Sequence, residues 1–189
     1  MISNKRFFDV VMSIIFLILL LMPMLLVILL VKATSSGPIL YWSDRVGKND
    51  LIFKMPKFRS MRTDTPDLAT HLMTNPNLFL SPIGSFLRRS SLDELPQLYS
   101  VLKGDMSFVG PRPALHNQSD LITLRTKKGV DKLFPGITGW AQVNGRDELS
   151  IVDKVTLDAE YLNRQSFWFD VKILWMTFLK VIGRNGVSH

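Results

Sequence analysis

Residues Ser90 to Gln97 read SSLDELPQ and set two adjacent carboxylates, Asp93 and Glu94, at the expected start of a helix. Arg88 and Arg89 stand just before them, and Arg112 follows in the chain between Pro111 and Pro113. A carboxylate can attack phosphorus and form an acyl phosphate, as carboxylates do in covalent catalysis. Attack by one anion on another needs its charge neutralised. Arginine forks do this, as does Mg²⁺, a hard ion that prefers carboxylate and phosphate oxygens. Neighbouring helical residues project about 100° apart, so the two acids would divide their roles rather than clamp one atom.

A second reading of the same residues involves no chemistry. Ser91 followed three positions later by Glu94 is a capping-box pattern, and acids in a first helical turn complement the helix dipole. The arginines argue for more than a cap. Proline fixes its own φ and restrains the residue before it, so Pro111 and Pro113 would present Arg112 rigidly. Its planar fork suits phosphate oxygens, and a helix start adds backbone N–H groups aimed at an anion. Beside these cations the ionised carboxylates are expected to be favoured.

Several elements must hold these groups. Leu95, Leu98, Val101 and Leu102 recur at helical spacing, which predicts a helix over Leu92–Lys103 stopped by Gly104. Ile39–Trp42 and Leu51–Met55 read as strands of a hairpin about Gly47-Lys48-Asn49-Asp50. Lys57 and Arg59 lie on a strand beyond it; they either meet nucleotide or lipid phosphate or form a solvated basic face. Pro66 to Pro82 is expected to be loop with a short helix. Further helices are predicted over Ser119–Lys128 and Asp153–Arg164, with the turn-rich FPGITGWAQVN of Phe134–Asn144 between them. There Trp140 is expected to pack a turn, the alternative being that Trp140 and Gln142 line a nucleotide pocket. The last helix, Phe167–Ile182, carries Lys172, Thr177 and Lys180 on a narrow face opposite a wide apolar arc. It is either a core helix or an amphipathic helix lying among lipid headgroups. Asp170 is expected to pair with an arginine to set that helix. His71, His116 and His189 have no metal-ligand spacing.

From Val10 to Val31 the chain is apolar except at Ser13 and Pro23. About 22 such residues can cross a bilayer core of roughly 30 Å, and they exceed the 7–15 apolar residues of a cleaved leader. Lys5 and Arg6 precede the segment, while Lys32, Arg45, Lys48, Lys54 and Lys57 follow it. Positive charge marks the cytoplasmic side, and one straight span cannot keep both flanks there. Pro23 removes a backbone donor and bends the helix. A re-entrant helix broken at Pro23, with both ends on one side, satisfies all three observations; a kinked span is the plainer alternative.

The chain of 189 residues suits one domain with a core, and residues 35–189 read as that domain beyond a membrane segment at 1–34. It contains no cysteine, which excludes disulfides and thiolate metal sites. A net charge of +7 favours anionic partners. The basic residues are scattered without a nucleic-acid motif, so no nucleic acid is expected, and anionic phospholipid or phosphorylated substrate takes its place. A membrane-anchored scaffold is the rival that uses this charge without catalysis.

Six motifs then occur in order: KRFFD (5–9), KFRSM (57–61), LRRSSLDELPQ (87–97), GDMSFVGPRP (104–113), PGITGWAQVNGR (135–146) and FDVKIL (169–174). Together they resemble the bacterial sugar transferases, the monotopic phosphoglycosyl transferases, over nearly the whole chain, and the length is that of the small stand-alone members. The resemblance implies transfer of a phosphosugar from a UDP-sugar to undecaprenyl phosphate, with release of UMP and with Mg²⁺ as cofactor. It puts the family's Asp-Glu dyad on Asp93 and Glu94, which would also face the metal, with Asp93 the nucleophile. It puts the Pro-Arg-Pro motif on Pro111, Arg112 and Pro113, and makes Arg112 and Arg88 phosphate contacts. The helix break of the family often carries Ser-Pro; here Met22-Pro23 keeps the proline and loses the hydroxyl. The expectation is an α+β, mainly helical domain with a small β-hairpin, carried on a re-entrant helix and on interfacial amphipathic helices. It would work at the cytoplasmic face of a bacterial inner membrane, on an N-acetylated or di-N-acetylated sugar.

Overall fold

The structure is a computed structural model that describes residues 2–65, 75–145 and 148–183. It opens with helices α1 (Ile2–Leu19) and α2 (Leu21–Thr34), then strands β1 (Leu40–Val46) and β2 (Ile52–Phe58). Helices α3 (Gly84–Arg89) and α4 (Gln97–Lys103) lead to strand β3 (Ser107–Val109) and helix α5 (Ser119–Lys127). Strand β4 (Gly136–Thr138) and helices α6 (Trp140–Val143), α7 (Ile151–Arg164) and α8 (Phe167–Gly183) complete it. The class is α+β, mainly helical with a small antiparallel hairpin, as expected. Most of the Pro66–Pro82 segment, including His71, lies outside the described residues, as does His189.

Pro23 shapes the N-terminal segment from three residues away. α1 and α2 meet at Leu20 (φ −95°, ψ 5°) and are bent by 62°. A proline at 23 has no N–H for the carbonyl of Leu19, and its ring collides with that carbonyl. The helix therefore breaks just past Leu19, and Pro23 falls in the first turn of α2, where its missing donor has no intrahelical partner to lose. The break expected at Pro23 is thus at Leu20, with Pro23 as its cause. Among the described residues no single helix is long and apolar enough to cross a membrane; the bent pair is, by length and composition.

Both ends of the pair are tied to the same domain. The Arg6 guanidinium donates to the carbonyls of Val101 and Leu102 at the C-terminus of α4, the latter at 2.6 Å. Lys5 donates to Val109 O at 3.1 Å and pairs with Asp170 of α8. Asp9 accepts from Phe108 N at 3.1 Å. At the far end Arg59 donates to Ser35 O and Oγ at 3.1 and 2.7 Å. Met12, Phe16, Leu17 and Leu20 pack on the main core, and Val27 and Val31 are buried against Phe58 and Leu87. The opposite side of the pair exposes Phe7, Ile18, Leu19, Leu21, Met22, Leu26 and Leu29. A contiguous apolar surface of this kind marks an interaction surface.

The hairpin is longer than its sequence pattern indicates, with register from Leu40↔Phe58 to Val46↔Ile52. Asn49 and Asp50 take left-handed conformations (φ 56° and 58°), which these short polar side chains tolerate, and let the strands close tightly. Pro56 sits in β2 without harm because a two-stranded sheet always leaves one strand edge unpaired. This extension brings Lys57 into the strand.

The helix predicted over Leu92–Lys103 divides in two. Leu92–Glu94 is a 3₁₀ turn, and α4 starts only at Gln97. Pro96 has no N–H to close an α-bond onto Leu92, whose carbonyl instead accepts from Leu95 N at 3.3 Å. Ser91 is left-handed (φ 55°) and its side chain caps nothing, so the capping box expected of Ser91 and Glu94 does not form. The C-terminus ends as predicted, on left-handed Gly104 (φ 101°).

β3 and β4 pair in parallel, Ser107↔Gly136 and Val109↔Thr138, a pairing the sequence pattern did not show. Their approach requires glycine: a Cβ on Gly110 would lie 2.2 Å from Phe134 O, and one on Gly136 2.1 Å from Gly110 N. Around them Leu98, Val101, Met106, Phe108, Val130, Val143, Tyr161, Phe169 and Ile173 form the core. α7 starts on Ser150, whose hydroxyl accepts from Asp153 N at 3.1 Å. α8 fulfils both expectations in part. Phe169 and Ile173 enter the core, while Phe167, Trp168, Trp175, Phe178 and Leu179 stay exposed.

Candidate active site

Four elements converge on the acidic pair. The 3₁₀ turn carries Asp93, which is 6% exposed, and Glu94. β2 supplies Lys57, whose ammonium donates to Glu94 Oε1 at 2.8 Å. The Pro-Arg-Pro segment after β3 supplies Arg112, which donates to the same oxygen at 3.1 Å. The last turn of α3 supplies Arg88, whose Nε donates to Ser60 Oγ at 3.3 Å and whose charge acts on both carboxylates. Arg89, next to it, points to solvent.

The two acids are held differently. Glu94 shares one oxygen between two cations, which orients it. Asp93 accepts no hydrogen bond from any described residue. Burial pushes its carboxyl up to about 6, the Glu94 charge adds to that, and Lys57, Arg88 and Arg112 pull it back. The expectation that cations at a helix start would favour the ionised Asp93 is therefore corrected: desolvation outweighs them. Burial likewise lowers the Lys57 ammonium and the Arg88 guanidinium, opposed in each case by the carboxylates. A carboxylate titrating near 6 is ionised at neutral pH yet more basic, and so more nucleophilic, than an ordinary one. The helix-terminus contribution is not part of this site, because α4 begins beyond the pair and has only seven residues.

Of the residues singled out in the sequence, Lys57, Arg88, Asp93, Glu94 and Arg112 come together, framed by buried Pro111 and Pro113. Arg59 does not join them. It is 5% exposed and ties β2 to the end of α2 through Ser35. Trp140 packs as expected: its Nε1 donates to Glu160 at 2.9 Å, and its ring lies 5.0 Å from that of Phe169. Asp170 pairs with Lys5, not with an arginine, and also accepts from Tyr161 O–H at 2.6 Å. The amino-terminal lysine reaches it because α1 folds back along the domain. His116 is exposed, and no group of three or more potential metal ligands occurs among the described residues.

Sequence reasoning missed Arg125 and Asp158. Arg125 Nε and Nη2 donate to one oxygen of Asp158 at 2.9 and 2.7 Å, and Nη1 donates to Arg112 O at 2.8 Å. The available signal was Asp158 itself, an acid three residues from Val155 and from Tyr161 on the inward face of α7.

Comparison with known proteins identifies the family. The family model described as "Bacterial sugar transferase" matches residues 2–184. An undecaprenyl-phosphate glucose phosphotransferase of Komagataeibacter xylinus is 41% identical over 96% of this chain and 36% of that protein. A UDP-glucose:undecaprenyl-phosphate glucose-1-phosphate transferase of Escherichia coli (strain K12) is 39% identical over 93% of this chain and 39% of that protein. The chain thus spans about two fifths of the length of these two enzymes. The uncharacterized sugar transferase EpsL of Bacillus subtilis (strain 168) is 40% identical over 98% of this chain and 90% of that protein. With a match from residue 2 to residue 184 that takes in every cation around Asp93 and Glu94, the chain belongs to the bacterial sugar transferase family.

Proposed function

We propose that this protein is a phosphoglycosyl transferase that moves a sugar phosphate from a UDP-sugar to undecaprenyl phosphate through an aspartyl intermediate on Asp93. The observation that carries the reading is the asymmetry of the acidic pair. Glu94 is gripped by Lys57 and Arg112, whereas Asp93 is buried, free of donors among the described residues, and poised near neutrality. An Asp93 oxygen attacks the sugar-bearing phosphorus, the bond to the bridging oxygen breaks, and UMP leaves with that oxygen. A phosphate oxygen of undecaprenyl phosphate then attacks the same phosphorus and releases Asp93, so no net proton is consumed. Arg88 and Arg112 take up charge on the diphosphate, and Glu94 keeps Lys57 and Arg112 aimed.

Mg²⁺ suits this donor set. It is commonly held by one or two carboxylates completed by substrate phosphate and water, not by an all-protein cage. Asp93 and Glu94 would hold it, and it would supply charge neutralisation at the diphosphate. The bent pair α1–α2 would enter the cytoplasmic face of a bacterial inner membrane and return, with both ends on the domain. The exposed aromatic face of α8 would rest among anionic headgroups. The two named enzymes carry glucose in their names, which favours a plain UDP-hexose over the expected acetamido sugars.

Full-length protein in nanodiscs, given undecaprenyl phosphate and a panel of UDP-hexoses and UDP-acetamido sugars, should release UMP with one donor preferred. Intact-protein mass spectrometry without acceptor should show a sugar-phosphate adduct that Asp93→Asn abolishes. An adduct that survives Asp93→Asn refutes the nucleophile; no UMP from any donor leaves the membrane-anchored scaffold.

A further inference from the structure

We infer that Arg125 and Asp158 are a buried positioning pair for Arg112, acting on the site through a peptide carbonyl without touching substrate. The inference rests on the function proposed above. Pro111 and Pro113 have no N–H, so the segment that presents Arg112 is anchored through its carbonyls. Each of four successive carbonyls is taken. Pro111 O accepts from Gly136 N at 2.9 Å, Arg112 O from Arg125 Nη1 at 2.8 Å, Pro113 O from Arg45 Nη1 at 3.2 Å, and Ala114 O from Val46 N at 2.9 Å.

Arg125 is the one that acts on residue 112 itself, and it cannot swing. Two of its nitrogens are held on Asp158, which is 1% exposed on α7. Packing does not replace this restraint. Behind Pro111 and Pro113 lies a cavity of about 30 Å³, lined also by Val46, Arg125 and Leu133. That is room for about one water, so the packing on that side leaves a small gap beside the segment. With the carbonyl fixed on one side, the guanidinium of Arg112 is left to reach Glu94 on the other. Arginine's planar fork holds the carboxylate through Nε and Nη2 and the carbonyl through Nη1 in one fixed arrangement, which the freely rotating ammonium of a shorter-reaching lysine does not reproduce.

The test is a double-mutant cycle on the full chain in nanodiscs. UMP release is followed with radiolabelled UDP-sugar so that slow residual turnover is read, and each variant's melting is recorded. Arg125→Lys is expected to melt cooperatively and to lower kcat on the order of 10²-fold with KM nearly unchanged, as a misplacement of about 1 Å does. In an Arg112→Ala background the same change should lower the residual rate by no more than about twofold, because the residue it serves is gone. Arg125→Met combined with Asp158→Leu removes both charges together, leaves no orphaned buried ion, and should behave alike. Losses that multiply in full in both backgrounds overturn the inference, as does failure of both variants to fold, which would make the pair a folding element only. No UMP from the unsubstituted protein overturns the functional reading and this inference with it; UMP release with multiplying losses overturns the inference alone.

Discussion

Asp93→Asn exchanges a carboxylate that is 6% exposed for a neutral amide of nearly the same volume. In the folded protein this carboxyl titrates near 6, against 3.8 as its ordinary value. Well below pH 3.8 the group is protonated in both folded and unfolded chains and contributes no difference. As pH rises the unfolded chain ionises first, so the folded state loses stability until pH passes about 6, above which the full penalty applies. Each pH unit of separation is worth about 1.4 kcal/mol, which makes that penalty about 3 kcal/mol, already net of the attraction of Lys57, Arg88 and Arg112. Removing the charge should therefore stabilise the protein at pH 8 by roughly 2–3 kcal/mol, or roughly 5–10 °C in melting temperature for a chain of this size. Thermal melts of both proteins in nanodiscs from pH 4 to pH 8 test this. The gain should shrink severalfold at the acid end. A variant no more stable than the parent at pH 8, or equally stabilised at pH 4, refutes the claim that desolvation governs Asp93.

Three further outcomes follow from the same geometry. The rate of adduct formation from UDP-sugar should rise about tenfold per pH unit below about 6 and level off above it, as stopped-flow quench at single turnover would read. Glu94→Gln removes a charge that raises Asp93 and anchors Lys57 and Arg112, so it should move that acid limb to lower pH while lowering the plateau by roughly 10²-fold; an unmoved limb contradicts the coupling. Pro23→Ala restores the N–H that Leu19 O lacks, so α1 and α2 should straighten toward one span. A cysteine placed at Ser3 should then change its accessibility to a membrane-impermeant thiol reagent relative to the parent.

What was legible in the chain divides by the range of the interaction. The proline-framed Arg112 and the glycine that ends α4 are each specified by neighbours within a few residues and stand where expected, whereas the acidic pair sits in a 3₁₀ turn ahead of α4 instead of in its first turn. The capping box failed for a local reason that was also present: Pro96 denies the turn its α-bond, and Ser91 turns left-handed. Lys57 at the site and Arg59 away from it could not be separated, because a residue on β2 and one just past its end differ only in what the fold brings opposite them. The parallel pairing of β3 with β4 joins segments about thirty residues apart, and each is only three residues long, too short for a periodic signal. Asp158 needed α5 packed on α7 before its partner Arg125 existed.

The membrane segment and the catalytic cations are linked by short stretches of chain. At the entrance, Lys5 donates to Val109 O, three residues before Arg112. At the exit, Ser35 accepts from Arg59, two residues after Lys57. Arg112 and Lys57 are the two groups that meet on Glu94 Oε1. The helix pair is therefore anchored close in sequence to each of these cations: on the Val109 carbonyl before Arg112, and on the Arg59 side chain after Lys57. The bend at Leu20 sets how far apart those two ends lie. Pro23, through that bend, sets the spacing of two anchors that lie within three residues of Arg112 and of Lys57.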